Sequence, residues 1–221
     1  MRRAHGFSLM EVLAALALLS IVLLGVYSGI STAGRIVRSG DRAIERMDEI
    51  RSAQAYLRSE LAQALVMPFG ETDDGDPIVF TGAANKLSFV APMPGYLSRL
   101  GPQLQTVALV EDGRDAYRLE VSLFLLPPDG TEPKLIGEPQ VLLRGIRKGA
   151  FSYRGTDDQN KPTDWQGTWP DARRTPSLVR IALDVDGGTV FPTLVAPLRI
   201  DPSASRNGFN MLRGNRAQGL R

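Results

Sequence analysis

A chain of 221 residues, 43% of them hydrophobic, can hold one domain with a real core besides a membrane anchor. It contains no cysteine and one histidine, His5, which excludes disulfides and thiol chemistry and leaves almost nothing for imidazole-based catalysis or zinc binding. The 26 basic and 24 acidic side chains leave a formal net charge of +2, too weak a balance to indicate a nucleic-acid partner.

From Phe7 to Ile30 every residue is apolar or small except Glu11. At about 1.5 Å per residue the run covers roughly 36 Å, enough to cross a bilayer with some tilt. It also exceeds the roughly 7 to 15 apolar residues of a secretory signal peptide, so it is expected to remain as an anchor. A carboxylate in hydrocarbon costs at least ~2.5 kcal/mol, and Glu11 therefore requires a partner. A cut between Gly6 and Phe7 supplies one. Phe7 then carries a new amine, and Glu11 follows it by one helical turn. Near its own helix N-terminus the dipole favours the negative charge; in an assembly the carboxylate neutralises the amine of a neighbouring helix. The plain alternative is an ordinary anchor with a stray glutamate.

The stretch Gly6-Phe7-Ser8-Leu9-Met10-Glu11, after the basic leader containing Arg2 and Arg3, resembles the processing signal of type IV pilins and type II secretion pseudopilins. The resemblance implies that a prepilin peptidase of the inner membrane removes residues 1–6 and methylates Phe7, and that Glu11 guides subunit packing. His5 would leave with the leader, and a catalyst would have to work with carboxylates, Lys, Arg or Tyr. No enzymatic role and no cofactor is expected. Charge does not orient the span: Arg2 and Arg3 precede it, but Arg35, Arg38, Arg42 and Arg46 follow it. A periplasmic placement of the remainder rests on the resemblance alone.

After the span an amphipathic pattern continues the helix. Ile44, Met47, Ile50, Leu57, Leu61 and Leu65 recur at helical spacing among charged residues, and Pro68 and Gly70 end the run. One helix is expected from Phe7 to about Val66. Gly25 and Gly29 form a small-xxx-small pair that serves either close helix approach or local bending.

Beyond Pro68 the period becomes two. Leu104–Glu111 and Asp115–Leu126 flank Asp112-Gly113 as a hairpin, and Val179–Val185 precedes Asp186-Gly187-Gly188 and a last run, Thr189–Ile200. Pro192 and Pro197 place that last run at a sheet edge. Shorter strands are expected at Lys86–Ala91, Gln140–Arg144 and Gly149–Tyr153. The loop from Gly155 to Pro176 contains both tryptophans, Trp165 and Trp169, read as plugs on a core edge more than as partner anchors. The acidic stretches 70–77 and 156–164 offer oxygen ligands, but counting from Asp158 puts Thr163 and Trp169 where a calcium loop needs Gly and Glu. No metal site is expected. From Ser203 the tail has four arginines and no acid, and is expected to be disordered.

The order LAQAL, LSFVAP, VLLRGIRKGAFSYRG, a Trp-bearing loop and TPSLVRIALDVDGG is similar to the J-type minor pseudopilins of the bacterial type II secretion system. The resemblance implies an α+β, pilin-like fold, with a long N-terminal helix on an antiparallel sheet. Its divisions are a leader (1–6), a membrane half-helix (7–30), a periplasmic half-helix (31–67), a periplasmic β domain (68–202) and the tail (203–221). It implies a structural role in the pseudopilus tip with I-type and K-type minor pseudopilins and other pseudopilins, helping to drive folded exoproteins across the outer membrane. Minor type IV pilins share the fold and processing and are the alternative.

Overall fold

The computed structural model describes residues 9–92, 101–127, 131–157, 159 and 161–198, without the side chains of 31–39 and 42. The leader, Phe7 and the expected disordered tail lie outside the described residues. The chain divides into two units, Met1–Met47 and Asp48–Arg221. Helix α1 runs from Leu9 to Ala62 without a break in its hydrogen bonding, so Gly25, Gly29 and Gly40 do not interrupt it.

In the second unit the helix buries Ile50, Ala53, Leu57 and Leu61, with Ala64 just beyond its end. These positions recur every three or four residues and share one face. Ile44 and Met47, expected in the same stripe, are 61% and 56% exposed. At about 100° per residue they have rotated roughly 140° and 80° from the buried face. The helix ends four residues before the expected limit of Val66. Leu65 has left it to donate its N–H to Val90 O at 2.7 Å.

The strands are β1 (Gly70–Glu71), β2 (Pro77–Ile78), β3 (Phe80–Gly82), β4 (Lys86–Pro92), β5 (Pro102–Glu111), β6 (Tyr117–Leu125), β7 (Lys134–Leu135), β8 (Gln140–Arg154), β9 (Leu178–Val185) and β10 (Leu194–Pro197). Among the described residues, β1 and β2 form a small hairpin and the other eight form one antiparallel sheet. Its order is β10-β9-β8-β6-β5-β4-β3, with β7 added beside β6.

The expected hairpin is formed by β5 and β6, paired from Gln103 opposite Leu125 to Glu111 opposite Tyr117. Gly113 and Asp115 take positive φ at its tip, a conformation that Gly and Asp tolerate best. The Arg118 guanidinium, with help from Arg144, holds the Asp112 carboxyl below its ordinary range and ties the tip to β8.

Two expected short strands, Gln140–Arg144 and Gly149–Tyr153, are parts of β8. The cause is a bulge: Gly145 takes φ of 61°, and the register shifts on both sides of Ile146. The first part of β8 pairs with β6 and the second with β9, so this one strand joins the two halves of the sheet. The last strand starts at Leu194 instead of Thr189. Pro192 has no N–H for a ladder, and its carbonyl instead accepts from Gln54 Nε2 on the helix. The strand lies at the sheet edge, as its prolines require.

Both sheet halves send apolar side chains into one core. Phe80, Leu87, Phe89, Val107, Leu119, Val121, Ile146, Phe151, Val179, Ile181 and Leu194 are buried with the helix residues. Tyr153 crosses this core edge-on to Phe80 and donates its hydroxyl to Ala83 O at 2.7 Å. It lies against Gly82, where a Cβ would come within 2.5 Å of the ring.

One patch of the helix–sheet seam is polar. Tyr56 donates to Gln105 Oε1 at 3.3 Å, and Gln105 Nε2 donates to Glu60 Oε2 at 2.5 Å. Glu60 is only 4% exposed. Burial pushes its carboxyl pKa up, and the bond from Gln105 offsets part of that rise. A carboxyl whose pKa is higher folded than unfolded stabilises the fold while protonated. That contribution is present below the unfolded value near 4.5 and is lost as pH rises through the folded value. Glu60→Gln removes this titration. Relative to the parent, the variant is expected to gain stability as pH rises from about 4.5 toward 7. Denaturant melts of both chains at several pH values check this, and a parallel pH dependence would contradict it.

Candidate assembly interface

The first unit is defined by what its helix leaves uncovered. From Leu9 to Ile30 the helix forms a 22-residue apolar span with none of its residues buried. At about 1.5 Å per residue this covers about 33 Å, close to the ~30 Å of a hydrocarbon core. The large side chains from Leu9 (80% exposed) to Val12 (46%) have no protein cover. Water would not tolerate such a surface; lipid or other helices would. Ser20, a polar residue in this stretch, donates its hydroxyl back to Leu16 O at 2.8 Å and so satisfies itself inside the helix.

Glu11 lies in the first described turn of α1. Gly6 and Phe7, expected to form the processed junction, lie outside the described residues. Gly25 and Gly29 face open space, with nothing within 4 Å of either added Cβ, so the helix surface there is low and accessible to another helix.

The second unit contributes the sheet and its loops. Trp169 is a plug, as expected: it is 8% exposed, donates Nε1 to Arg174 O at 2.7 Å, and rests against Gly155. The Trp169 backbone N–H and the Ala172 carbonyl cover the free edge of β3 through bonds to Gly82 O and from Val79 and Phe80 N–H. Trp165 is different. It lies half-exposed with the Arg180 guanidinium 3.8 Å above its ring, a contact that helical or strand periodicity cannot reveal.

The acidic stretches are engaged locally. Thr72 and Asp76 close the β1–β2 turn, and Asp76 pairs with Arg173 at 3.5 Å. Asp157 accepts from the Gln159 and Lys161 N–H groups at 2.9 Å each. Among the described residues, no group of three or more His, Cys, Asp or Glu side chains is arranged to hold a metal ion. What this geometry offers is surface for association: a bare apolar helix with one acid, and a sheet with an aromatic–arginine face.

Comparison with known proteins agrees with that reading. The family model described as "Type II secretion system (T2SS), protein J" matches residues 30–196, and the prokaryotic N-terminal methylation motif matches residues 1–27. Type II secretion system protein J of Xanthomonas campestris is 32% identical over 199 residues, which are 89% of this chain and 93% of that protein. A chain in the crystal structure of the GspK-GspI-GspJ complex from the enterotoxigenic Escherichia coli type 2 secretion system shares the fold. Its TM-score is 0.50 at 19% identity, and the match covers 71% of this chain and 99% of that one. The match over residues 30–196 decides for secretion over the pilus alternative. The chain belongs to the type II secretion system protein J family and is a minor pseudopilin.

Proposed function

We propose that this pseudopilin works as a structural subunit of the pseudopilus tip, joined to I-type and K-type minor pseudopilins and not acting as an enzyme. The observation that carries the proposal is the helix whose two halves have opposite cover: a bare span from Leu9 to Ile30 and a buried stripe from Ile50 to Leu61. Such a helix can hold a folded domain and pack against its counterparts in other subunits. A solved complex in which K, I and J proteins occur together supports the choice of partners.

In this reading prepilin peptidase cuts between Gly6 and Phe7 and methylates Phe7. Residues 7–30 sit in the bacterial inner membrane, 31–67 and 68–202 form the periplasmic helix and β domain, and 203–221 form the basic tail. Glu11 neutralises the Phe7 amine of a neighbouring subunit. The tip then primes a short periplasmic pseudopilus that helps drive folded exoproteins across the outer membrane.

Processing leaves a mass signature. Intact-mass analysis of chain extracted from membranes of a peptidase-positive host is expected to show loss of MRRAHG and one added methyl on Phe7. Retention of Arg2 and Arg3, or a cut beyond Ala17, would contradict the assignment.

The acid is tested separately. Glu11→Ala leaves the neighbouring amine without its counter-charge, and losing one member of a buried pair costs about 3 to 5 kcal/mol, or two or more powers of ten in association. The variant is expected to insert and be processed normally while co-purification with I and K subunits and secretion of a reporter exoprotein fall. Glu11→Gln, which keeps the shape without the charge, is expected to behave similarly. Parent-like assembly and secretion in both would exclude the charge pair.

A further inference from the structure

The arginines of the main sheet divide into two groups. Arg118 pairs with Asp112 and Glu120, Arg144 with Asp112, and Arg147 with Asp184. Arg154 and Arg180, the other two arginines on its strands, have no carboxylate partner among the described residues. Arg154 donates Nε to the Thr163 carbonyl at 3.0 Å, and Arg180 stacks on Trp165.

Register brings these two cations together. Arg154 lies opposite Leu178, and Arg180 lies opposite Ser152 and Val195, so the arginines are diagonal neighbours on β8 and β9. Tyr153, Val179 and Ile181 are buried, so the alternation of the strands puts both arginines on the face away from the core. The bridge between Tyr153 and Gln166 places Trp165 beside Arg154 on that face. The Arg180 side chain therefore reaches across β8 to the indole. Stacking uses the flat face of the guanidinium and leaves its in-plane N–H groups for another acceptor. Two neighbouring cations on a half-exposed face, in a protein that neutralises its other strand arginines, lack a counter-charge.

We infer that the Trp165–Arg154–Arg180 face docks a carboxylate-bearing segment of a neighbouring pseudopilin subunit, whose acids take the guanidinium N–H groups while Trp165 and Val195 supply apolar contact. The choice of neighbour rests on the tip assembly proposed above. Tryptophan and arginine anchors with an apolar rim suit a protein partner. An extended polyanion or an anionic lipid surface fits poorly, because such partners take many cationic contacts and this face offers two arginines.

The test uses the full chain in detergent, co-expressed with its I-type and K-type subunits. Arg154→Gln with Arg180→Gln is expected to weaken the complex at least tenfold and flatten its dependence on salt, with leader removal and thermal midpoint little changed. Arg147→Gln, which only breaks a local pair, serves as the control and should assemble like the parent. Arg180→Lys keeps the charge without the stack or the fork and is expected to retain part of the affinity. Its amine allows zero-length carbodiimide coupling, and peptide mass spectrometry should find it joined to an Asp or Glu of the neighbouring subunit. Parent-like affinity and salt dependence in the double variant would overturn the inference while leaving the tip assembly intact. Coupling only to acids within this chain would also overturn it. Failure of the parent itself to co-purify would overturn the assembly reading and this docking face with it.

Discussion

The seam between the second half of α1 and the sheet is the contact on which the rest depends. Ile50, Ala53, Leu57 and Leu61 occupy one helical face and meet apolar side chains from both halves of the sheet. Burying a large apolar side chain is worth about 1.5 to 3 kcal/mol, and this stripe includes three. Because the sheet satisfies only that stripe, the span from Leu9 to Ile30 remains bare, and the same helix can both hold a domain and enter a membrane or a filament. The seam also contains its own weak point. Glu60 sits buried in it, and Gln103, fully buried two residues before Gln105, has no hydrogen-bonding partner for either amide atom among the described residues. Unmade bonds of this kind cost about 1 to 3 kcal/mol each.

The sheet is built to bring distant parts of the chain under one helix. The bulge at Gly145 turns β8 from β6 toward β9, and the contacts of β8 with the β3–β4 turn close the curl: Phe151 N–H donates to Ala84 O and Tyr153 to Ala83 O. Gly82 gives Tyr153 the room to do so. Curling puts the apolar faces inside and leaves outside the row of arginines, of which three of the five on the strands are neutralised by local acids. The surface that remains is of two kinds with different physics: an apolar helical span with one acid, and a polar sheet face bearing an indole.

Much of this could be read in the sequence because it follows periodicity and turn chemistry. The 3.6-residue pattern located the helix, and Asp112-Gly113 located the β5–β6 hairpin to within a residue or two. The same pattern extends to Ile44 and Met47, which are exposed, since apolarity at threes and fours does not say where the covering sheet begins. In sequence the glycine bulge of β8 resembles a break between two strands, and the three residues of β3 carry too little pattern to mark a strand. The Tyr56–Gln105–Glu60 chain and the Arg180–Trp165 stack depend on side chains distant in sequence, and local pattern does not encode such pairs. Glu11 was legible for the opposite reason: a single charge in 24 otherwise apolar or small residues is conspicuous without any fold.

Hydrophobic burial is divided along one helix: the sheet covers the stripe from Ile50 to Leu61, and the span from Leu9 to Ile30 is left bare. The direct measurement is the behaviour of a fragment starting at Arg35, purified without detergent. A folded, monomeric or weakly associating species by sedimentation, with one cooperative thermal transition, is expected. A fragment that aggregates in water and becomes monodisperse only in detergent would show that the helical stripe from Ile50 to Leu61 is not covered by the sheet, and would contradict the account.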